Sequence, residues 1–110
     1  MQTIVELPEF QRRASALLTE AERRKLIDYL AAHPRSGVIL QGTGGVRKLR
    51  WTAGGKGKSG GTRVIHYCMN KSIPLFLLTI FGKSEKENLS KSESNELGRL
   101  TRLLAKNYGG

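Results

Sequence analysis

The sequence predicts a small α+β domain with its elements in the order β–α–α–β–β–β–α. Three observations indicate this class: two helical patterns near the N-terminus, three β-type runs in the middle and one amphipathic pattern near the C-terminus. The 110 residues fit one domain spanning 1–110. We expect an antiparallel four-stranded sheet with an N-terminal helical hairpin on one face, together with a C-terminal helix.

The N-terminal third predicts one strand and two helices. Residues 2–6 form a short β-type run, and Pro8 suits the first turn of a helix. Thr19 and Glu22 have the spacing of a capping box, which begins a second helix. That helix should end before Pro34, because the residue preceding a proline disfavours helical backbone. Almost no loop remains between the two helices, so they are predicted to form a hairpin.

The middle of the chain predicts three strands, over residues 46–51, 63–69 and 74–81. Their short connections require antiparallel pairing, and the first β-type run can join them as a fourth strand. The run at 74–81 is almost continuously apolar, so we expect it to be the central strand, buried on both faces. A short helical turn is predicted over residues 84–89, and a final helix begins at a second capping box, Ser90 with Glu93.

Positive charge is concentrated in the predicted strands. Nineteen Lys and Arg against nine Asp and Glu give a formal net charge of +10. No acidic residue lies between Tyr29 and Ser84, and this window holds nine basic residues: Arg35, Arg47, Lys48, Arg50, Lys56, Lys58, Arg63, Lys71 and Lys83. Such an excess repels itself unless a polyanion neutralises it, so the window predicts a nucleic-acid partner.

Several other classes of protein are disfavoured. Cys68 is the only cysteine, so no intramolecular disulfide can form. The N-terminus has no secretory signal, and the apolar run around 75–81 is too short to cross a bilayer, so we expect a soluble cytoplasmic protein without a membrane partner. The basic window has no carboxylate, and the only histidines are His33 and His66. Because no nucleophile-elbow or phosphate-loop motif is present either, we expect neither a metal nor an organic cofactor.

Fixed cations on the sheet are the remaining candidates for chemistry. Since side chains alternate along a strand, Lys48 and Arg50 share one face, whereas Arg47 lies on the other. On the next strand, Arg63 and Tyr67 share a face. Neighbouring strands lie about 5 Å apart, so nearby cations can converge on one concave patch. The remaining lysines expected at this patch are Lys56, Lys58, Lys83 and Lys86.

Such a patch is suited to RNA. Cleavage of RNA by its own 2′-hydroxyl requires removal of the hydroxyl proton, stabilisation of a phosphorane-like transition state and neutralisation of the leaving 5′-oxygen. Lysines crowded by positive charge can transfer the protons, and arginine can hold the non-bridging oxygens with two hydrogen bonds. A surface that only binds RNA would present the same residues, so the residues leave both functions open.

Three segments in this order, QGTGGVRKLRW, GGKGKSGGTRVIHY and FLLTIFGKSEKENL, resemble the HigB-type toxins of the RelE/ParE superfamily over nearly the whole chain. The resemblance implies a RelE-like fold and the toxin of a type II toxin–antitoxin system. It further implies a metal-independent endoribonuclease, an mRNA interferase that cuts mRNA in the ribosomal A site and inhibits translation. The implied partners are the ribosome, mRNA and a cognate antitoxin, often of helix-turn-helix type, which would connect the toxin indirectly to operator DNA.

The resemblance also implies roles for individual residues. Arg63 matches the strand arginine that grips the scissile phosphate. Lys56 and Lys58 match the basic residues of the preceding loop, which bind RNA or aid proton transfer. Lys83 and Lys86 fall in a segment whose basic residue helps to stabilise the transition state or the leaving group. The further candidates for RNA binding are Lys48, Arg50, Arg47 and Tyr67.

The chain departs from RelE itself at one position. The C-terminal tyrosine that stacks on an mRNA base there has no match, because Leu89 follows Asn88 without an aromatic residue. Tyr67, Phe81 and Tyr108 are the candidates to replace it. Two other functions are compatible with the fold: a gyrase-inhibiting toxin of the ParE type and a non-catalytic RNA- or DNA-binding module. The cations of the loop and strand disfavour the gyrase inhibitor.

Overall fold

A computed structural model describes residues 2–52, 61–83, 85–86 and 88–108. Within these residues the order is the predicted one, with one additional short strand. The elements are β1 (Ile4–Glu6), α1 (Pro8–Leu17), α2 (Glu20–Ala32), β2 (Val38–Ile39), β3 (Val46–Trp51), β4 (Thr62–Tyr67), β5 (Leu75–Gly82) and α3 (Lys91–Tyr108).

The strands form one sheet in the order β1-β5-β4-β3-β2. The α+β class and the antiparallel pairing of β3, β4 and β5 are confirmed. The sheet has five strands instead of four, because β2 pairs antiparallel with β3. It is mixed instead of antiparallel, because β1 pairs in parallel with β5, with Ile4 opposite Leu75. The middle strand is β4, and β5 lies beside it, buried along its whole length.

Helices pack on both faces of the sheet. The α1–α2 hairpin covers one face, as predicted, and packs on it through Phe10, Ala14, Leu26, Leu30, Val64, Leu75, Leu77 and Ile80. Helix α3 lies on the opposite face, where the buried apolar residues are Val46, Ile65, Tyr67, Ile73, Phe76, Leu78, Phe81 and Leu104. Burying one Leu, Ile or Val side chain contributes about 1.5–3 kcal/mol, so these two cores hold the sheet in its register.

Both predicted capping boxes are present. At the start of α2, the Glu22 N–H donates to Thr19 Oγ1 at 3.1 Å, and the Thr19 N–H donates to Glu22 Oε1 at 2.8 Å. At the start of α3, Ser90 and Glu93 make the same reciprocal pair, at 3.1 and 2.8 Å. Each box satisfies two of the N–H groups that a helix leaves unpaired at its N-terminus.

Helix α3 is docked against the glycine-rich turn at 42–45. Thr101 Oγ1 donates a hydrogen bond to the carbonyl oxygen of Thr43 at 2.7 Å. Gly98 allows the close approach, because a Cβ atom there would lie 3.2 Å from the carbonyl oxygen of Gly42. The turn precedes β3, so α3 is fixed over the end of the sheet where β3 begins and β4 ends. The other end of this face carries the polar residues described below.

A β-bulge interrupts the pairing of β4 with β5. Ile65 lies opposite Thr79, but His66 lies opposite Leu77, so Leu78 is an extra residue on β5. Leu78 joins the α3 core, Thr79 Oγ1 donates to Glu9 Oε2 of α1 at 2.8 Å, and the alternation is shifted by one residue beyond them. This shift places Phe81 on the α3 face, directly opposite Arg63.

His66 is a buried imidazole with only one of its nitrogens bonded. Its Nε2 lies 3.1 Å from the carbonyl oxygen of Ser36, to which the neutral ring donates, and its Nδ1 has no partner among the described residues. Burial lowers the pKa of His66 from 6.5 to about 4, the Ser36 bond opposes this effect, and the charge of Arg47 adds to it.

We predict that His66 makes the folded state sensitive to mild acid. In the unfolded chain, His66 takes up a proton below about pH 6.5. In the folded protein its ring stays neutral until the pH falls to about 4. The free energy of unfolding should therefore fall by about 3 kcal/mol over this interval from this residue alone. Urea denaturation at a series of pH values should show a smaller fall for His66→Gln, which cannot ionise. An equal fall in the free energy of unfolding for wild type and His66→Gln would contradict the prediction.

Candidate functional site

Three cations lie on the α3 face of the sheet, at the end that α3 leaves uncovered. Arg50 of β3 lies directly opposite Arg63 of β4, and Lys48 lies opposite Ile65. The predicted alternation of β3 and β4 is therefore confirmed. Like charges placed directly opposite on neighbouring strands repel, so an anion bound between them would be stabilised. We call Lys48, Arg50 and Arg63 the cation cluster.

The cation cluster opens into a cavity of about 390 Å³. Its lining combines the cluster with the edge strand and one later residue: Gly37, Val38, Lys48, Leu49, Arg50, Arg63 and Asn88. Arg63 is only 4% exposed, whereas Arg50 is exposed. A guanidinium group keeps its charge even when buried, so Arg63 adds a nearly buried positive charge to the lining of the cavity.

Asn88 is a site residue that the sequence did not single out. Its Oδ1 accepts a hydrogen bond from Lys48 Nζ at 2.7 Å, although the two residues are far apart in the chain. The only available signal was its position in the segment that carries Lys83 and Lys86. The contact brings Asn88, from the segment that spans residues 83–89, against the cation cluster.

The structure places Lys83 and Lys86 differently. Lys83 directly follows β5, its backbone N–H donates to the carbonyl oxygen of Gly61 at 3.2 Å, and its side chain is exposed. Lys86 forms an ion pair with Glu93 of α3. Its Nζ also lies 5.0 Å from the ring centroid of Phe81, the residue opposite Arg63. Both lysines are therefore at the Arg63 end of the sheet, and Lys86 is already paired with a carboxylate.

Among the described residues of segment 83–89, Glu85, Lys86 and Asn88 contact side chains of three separate elements. Arg13 of α1 pairs with Glu85 at 2.7 Å, and Glu93 of α3 pairs with Lys86. Lys48 of β3 supplies the third contact, to Asn88. The helical turn predicted over residues 84–89 lies partly outside the described residues, which do not include Ser84 and Glu87. The Glu85 and Lys86 N–H groups both donate to the Gly82 carbonyl oxygen, at 3.0 and 3.2 Å.

Other predicted residues lie away from the cation cluster. Arg47 is on the hairpin face, where its guanidinium donates to the carbonyl oxygens of Arg35 and Gly37 at 3.0 and 3.3 Å. Tyr67 is buried at the far end of β4, and burial raises its pKa. Lys56 and Lys58 lie outside the described residues.

The three aromatic candidates for base stacking are not exposed beside Arg63. Phe81 is opposite Arg63 but fully buried, and Tyr67 belongs to the core. Tyr108 is exposed, but its ring contacts Phe76 at a centroid distance of 5.2 Å. Phe76 pairs with Tyr67, five residues along β5 from Phe81, which is about 17 Å at the usual rise of a strand.

The described residues contain no group of three or more His, Cys, Asp or Glu side chains arranged to hold a metal ion. In the same part of the chain, no helix has the length and hydropathy needed to cross a bilayer.

Comparison with protein families gives a match over most of the chain. The model of the RelE toxin of the RelE/RelB toxin–antitoxin system matches residues 10–108. The chain belongs to the RelE toxin family. It is thus a toxin of a toxin–antitoxin system, and its partner is an antitoxin, as in this family generally. The membership in the RelE/ParE superfamily and the RelE-like fold expected from the sequence are confirmed.

We predict that the cation cluster destabilises the free RelE-family toxin slightly. Arg50→Gln removes the repulsion with Arg63, and it should raise the free energy of unfolding by about 0.5 kcal/mol at low salt. The gain should vanish at about 0.5 M NaCl, where exposed charges are screened. Denaturation with urea at both salt concentrations measures the effect. Lys71→Gln, in the exposed turn between β4 and β5, is the control, and an equal gain for this variant would contradict a local effect of the cluster.

Proposed function

We propose that this toxin is a metal-independent endoribonuclease, an mRNA interferase of the HigB type that cuts mRNA in the A site of the ribosome. The observation that supports it best is the nearly buried Arg63 beside Arg50 and Lys48, with Lys86 held at the same end of the sheet. Fixed donors aimed at one place stabilise a charge that develops there, which is the main requirement of phosphodiester cleavage.

In the proposed reaction the RNA supplies its own nucleophile. The 2′-oxygen loses its proton and attacks the adjacent phosphorus, the bond from phosphorus to the 5′-oxygen breaks, and that oxygen takes up a proton. The products are a 2′,3′-cyclic phosphate and a 5′-hydroxyl. No oxidant, metal or second substrate is needed, because every atom comes from the RNA and the two protons are transferred by protein side chains.

We assign the roles from the positions of the side chains. Arg63 binds the non-bridging oxygens, on which negative charge accumulates in the transition state. Lys86, with Lys83 beside the same strand end, neutralises or protonates the leaving 5′-oxygen. Lys48 and Arg50 hold the neighbouring phosphates of the mRNA or ribosomal RNA.

The remaining candidates have different assignments. Lys56 and Lys58, next in the chain to the start of β4, are proposed to bind RNA or to accept the 2′-hydroxyl proton. We infer that Arg47 and Tyr67 act in the fold and not in RNA binding, since Arg47 fixes the loop before β2 and Tyr67 lies in the α3 core. The antitoxin partner is proposed to be of helix-turn-helix type and to link the toxin to its operator DNA.

We predict that Arg63→Lys lowers the single-turnover rate of mRNA cleavage by at least about 100-fold. Lysine retains the positive charge but loses the planar pair of donors, so a large effect would indicate that geometry matters beyond charge. Primer extension on an mRNA in a cell-free translation system maps and quantifies the cuts. Lys71→Gln, an exposed cation at the other end of the sheet, should cleave at the wild-type rate.

The same assay tests the ribosome requirement. Wild-type cuts should fall within A-site codons and be absent from the same mRNA without ribosomes. Equal cutting of naked RNA would overturn the ribosome-dependent form of the proposal, and an absence of cuts would overturn the nuclease. Growth arrest that persists in the double variant Arg63→Ala, Lys83→Ala would indicate a toxin that acts by binding.

A further inference from the structure

Glu93 makes two contacts with one carboxylate. Its Oε1 accepts the backbone N–H of Ser90 at 2.8 Å as half of the capping box, and its Oε2 accepts from Lys86 Nζ. In return, Ser90 Oγ accepts the Glu93 N–H at 3.1 Å. The capping box therefore fixes this carboxylate at the N-terminus of α3, and the ion pair in turn holds the Lys86 ammonium in place.

The carboxylate is also held in its charged form. The hydrogen bond from Lys86 lowers the pKa of Glu93, and the backbone N–H of Ser90 lowers it further. A carboxylate at a helix N-terminus is favoured by the helix dipole as well. Glu93 is therefore a permanent acceptor at neutral pH.

The position of Lys86 is defined by two contacts of different kinds. Its Nζ lies 5.0 Å from the centroid of the fully buried Phe81 ring, and Glu93 holds it from the side of α3. Phe81 is directly opposite Arg63 across the β4–β5 pairing. An ammonium group has three N–H donors, so one bond to Glu93 leaves others available for a substrate oxygen.

We propose that Glu93 is a positioning residue that holds the Lys86 ammonium beside the Arg63 phosphate site. A free lysine side chain samples many rotamers, whereas a lysine held by a capped carboxylate is already placed when the substrate arrives. The inference rests on the proposed nuclease function and deepens it, because it names the residue that orients the cation at the leaving oxygen.

Glu93→Gln separates the ion pair from the helix cap. Glutamine at this position preserves a capping box, since its side-chain oxygen still accepts the N-cap N–H, but it removes the negative charge that faces Lys86. Single-turnover cleavage on mRNA-programmed ribosomes gives the maximal rate and the toxin concentration at half-maximal rate. We expect the maximal rate to fall about tenfold, with the half-maximal concentration changed less than about twofold.

A double-mutant cycle with Lys86→Ala tests whether Glu93 acts through Lys86. Lys86→Ala should slow cleavage, and adding Glu93→Gln to it should cause no further loss, because the two residues act as a unit. The matched control is Glu96→Gln, which removes a carboxylate from the same helix that makes no ion pair within the described residues. It should cleave at the wild-type rate. Thermal unfolding of each variant reports any general loss of stability.

The outcomes are distinguishable. Equal maximal rates for wild type and Glu93→Gln overturn the inference and leave the nuclease intact. A faster Glu93→Gln variant also overturns it, since the ion pair would then restrain Lys86 instead of placing it. A full additional loss in the Lys86→Ala background overturns it as well, because Glu93 would be acting on the fold. Absence of cleavage by the wild-type toxin overturns the proposed function and the inference together.

Discussion

The register of β3 against β4 is the constraint on which the rest of this molecule depends, and it holds two arginines opposite each other. The β3–β4 register places Arg50 against Arg63, and like charges in such a pair cost about 0.2–1 kcal/mol. The same register buries Val64 with the hairpin core and Ile65 with the α3 core. Each such burial contributes about 1.5–3 kcal/mol, so packing prevails over repulsion, and the two arginines stay opposite each other.

The placement of α3 determines how much of the sheet remains open. The contacts of Gly98 and Thr101 with the turn at 42–45 fix the helix over one end of the face. The first turn of the helix reaches towards the other end, where Glu93 pairs with Lys86. One helix therefore completes the core at one end and supplies the carboxylate that pairs with Lys86 at the other.

Local patterns in the sequence predicted the features that depend on local physics. Alternation along a strand placed Lys48 with Arg50 on β3 and Arg63 with Tyr67 on β4, and the capping boxes at Thr19 and Ser90 marked two helix starts. The parallel pairing of β1 and the extra residue Leu78 in β5 were not predicted, because both depend on which distant segment lies alongside.

The candidate site was likewise predicted only in part. Its cations follow from alternation, but the partners of those cations come from other elements. Glu93 was predicted only as a helix cap, although it also pairs with Lys86. Asn88 was marked only by its position in the segment that carries Lys83 and Lys86, although it accepts a hydrogen bond from Lys48. Charge pairs between distant segments leave no periodicity in a sequence.

The parallel pairing of β1 with β5 has a consequence for synthesis of the chain. Ile4 is made early, but its partner Leu75 is made only after the helical hairpin, β3 and β4. The apolar face of the hairpin therefore stays uncovered until β5 is made, and Lys86 and Glu93 are made later still. A chain arrested before β5 carries Lys48, Arg50 and Arg63 but lacks the strand that contributes to both cores, so neither face of the sheet can pack until β5 is made.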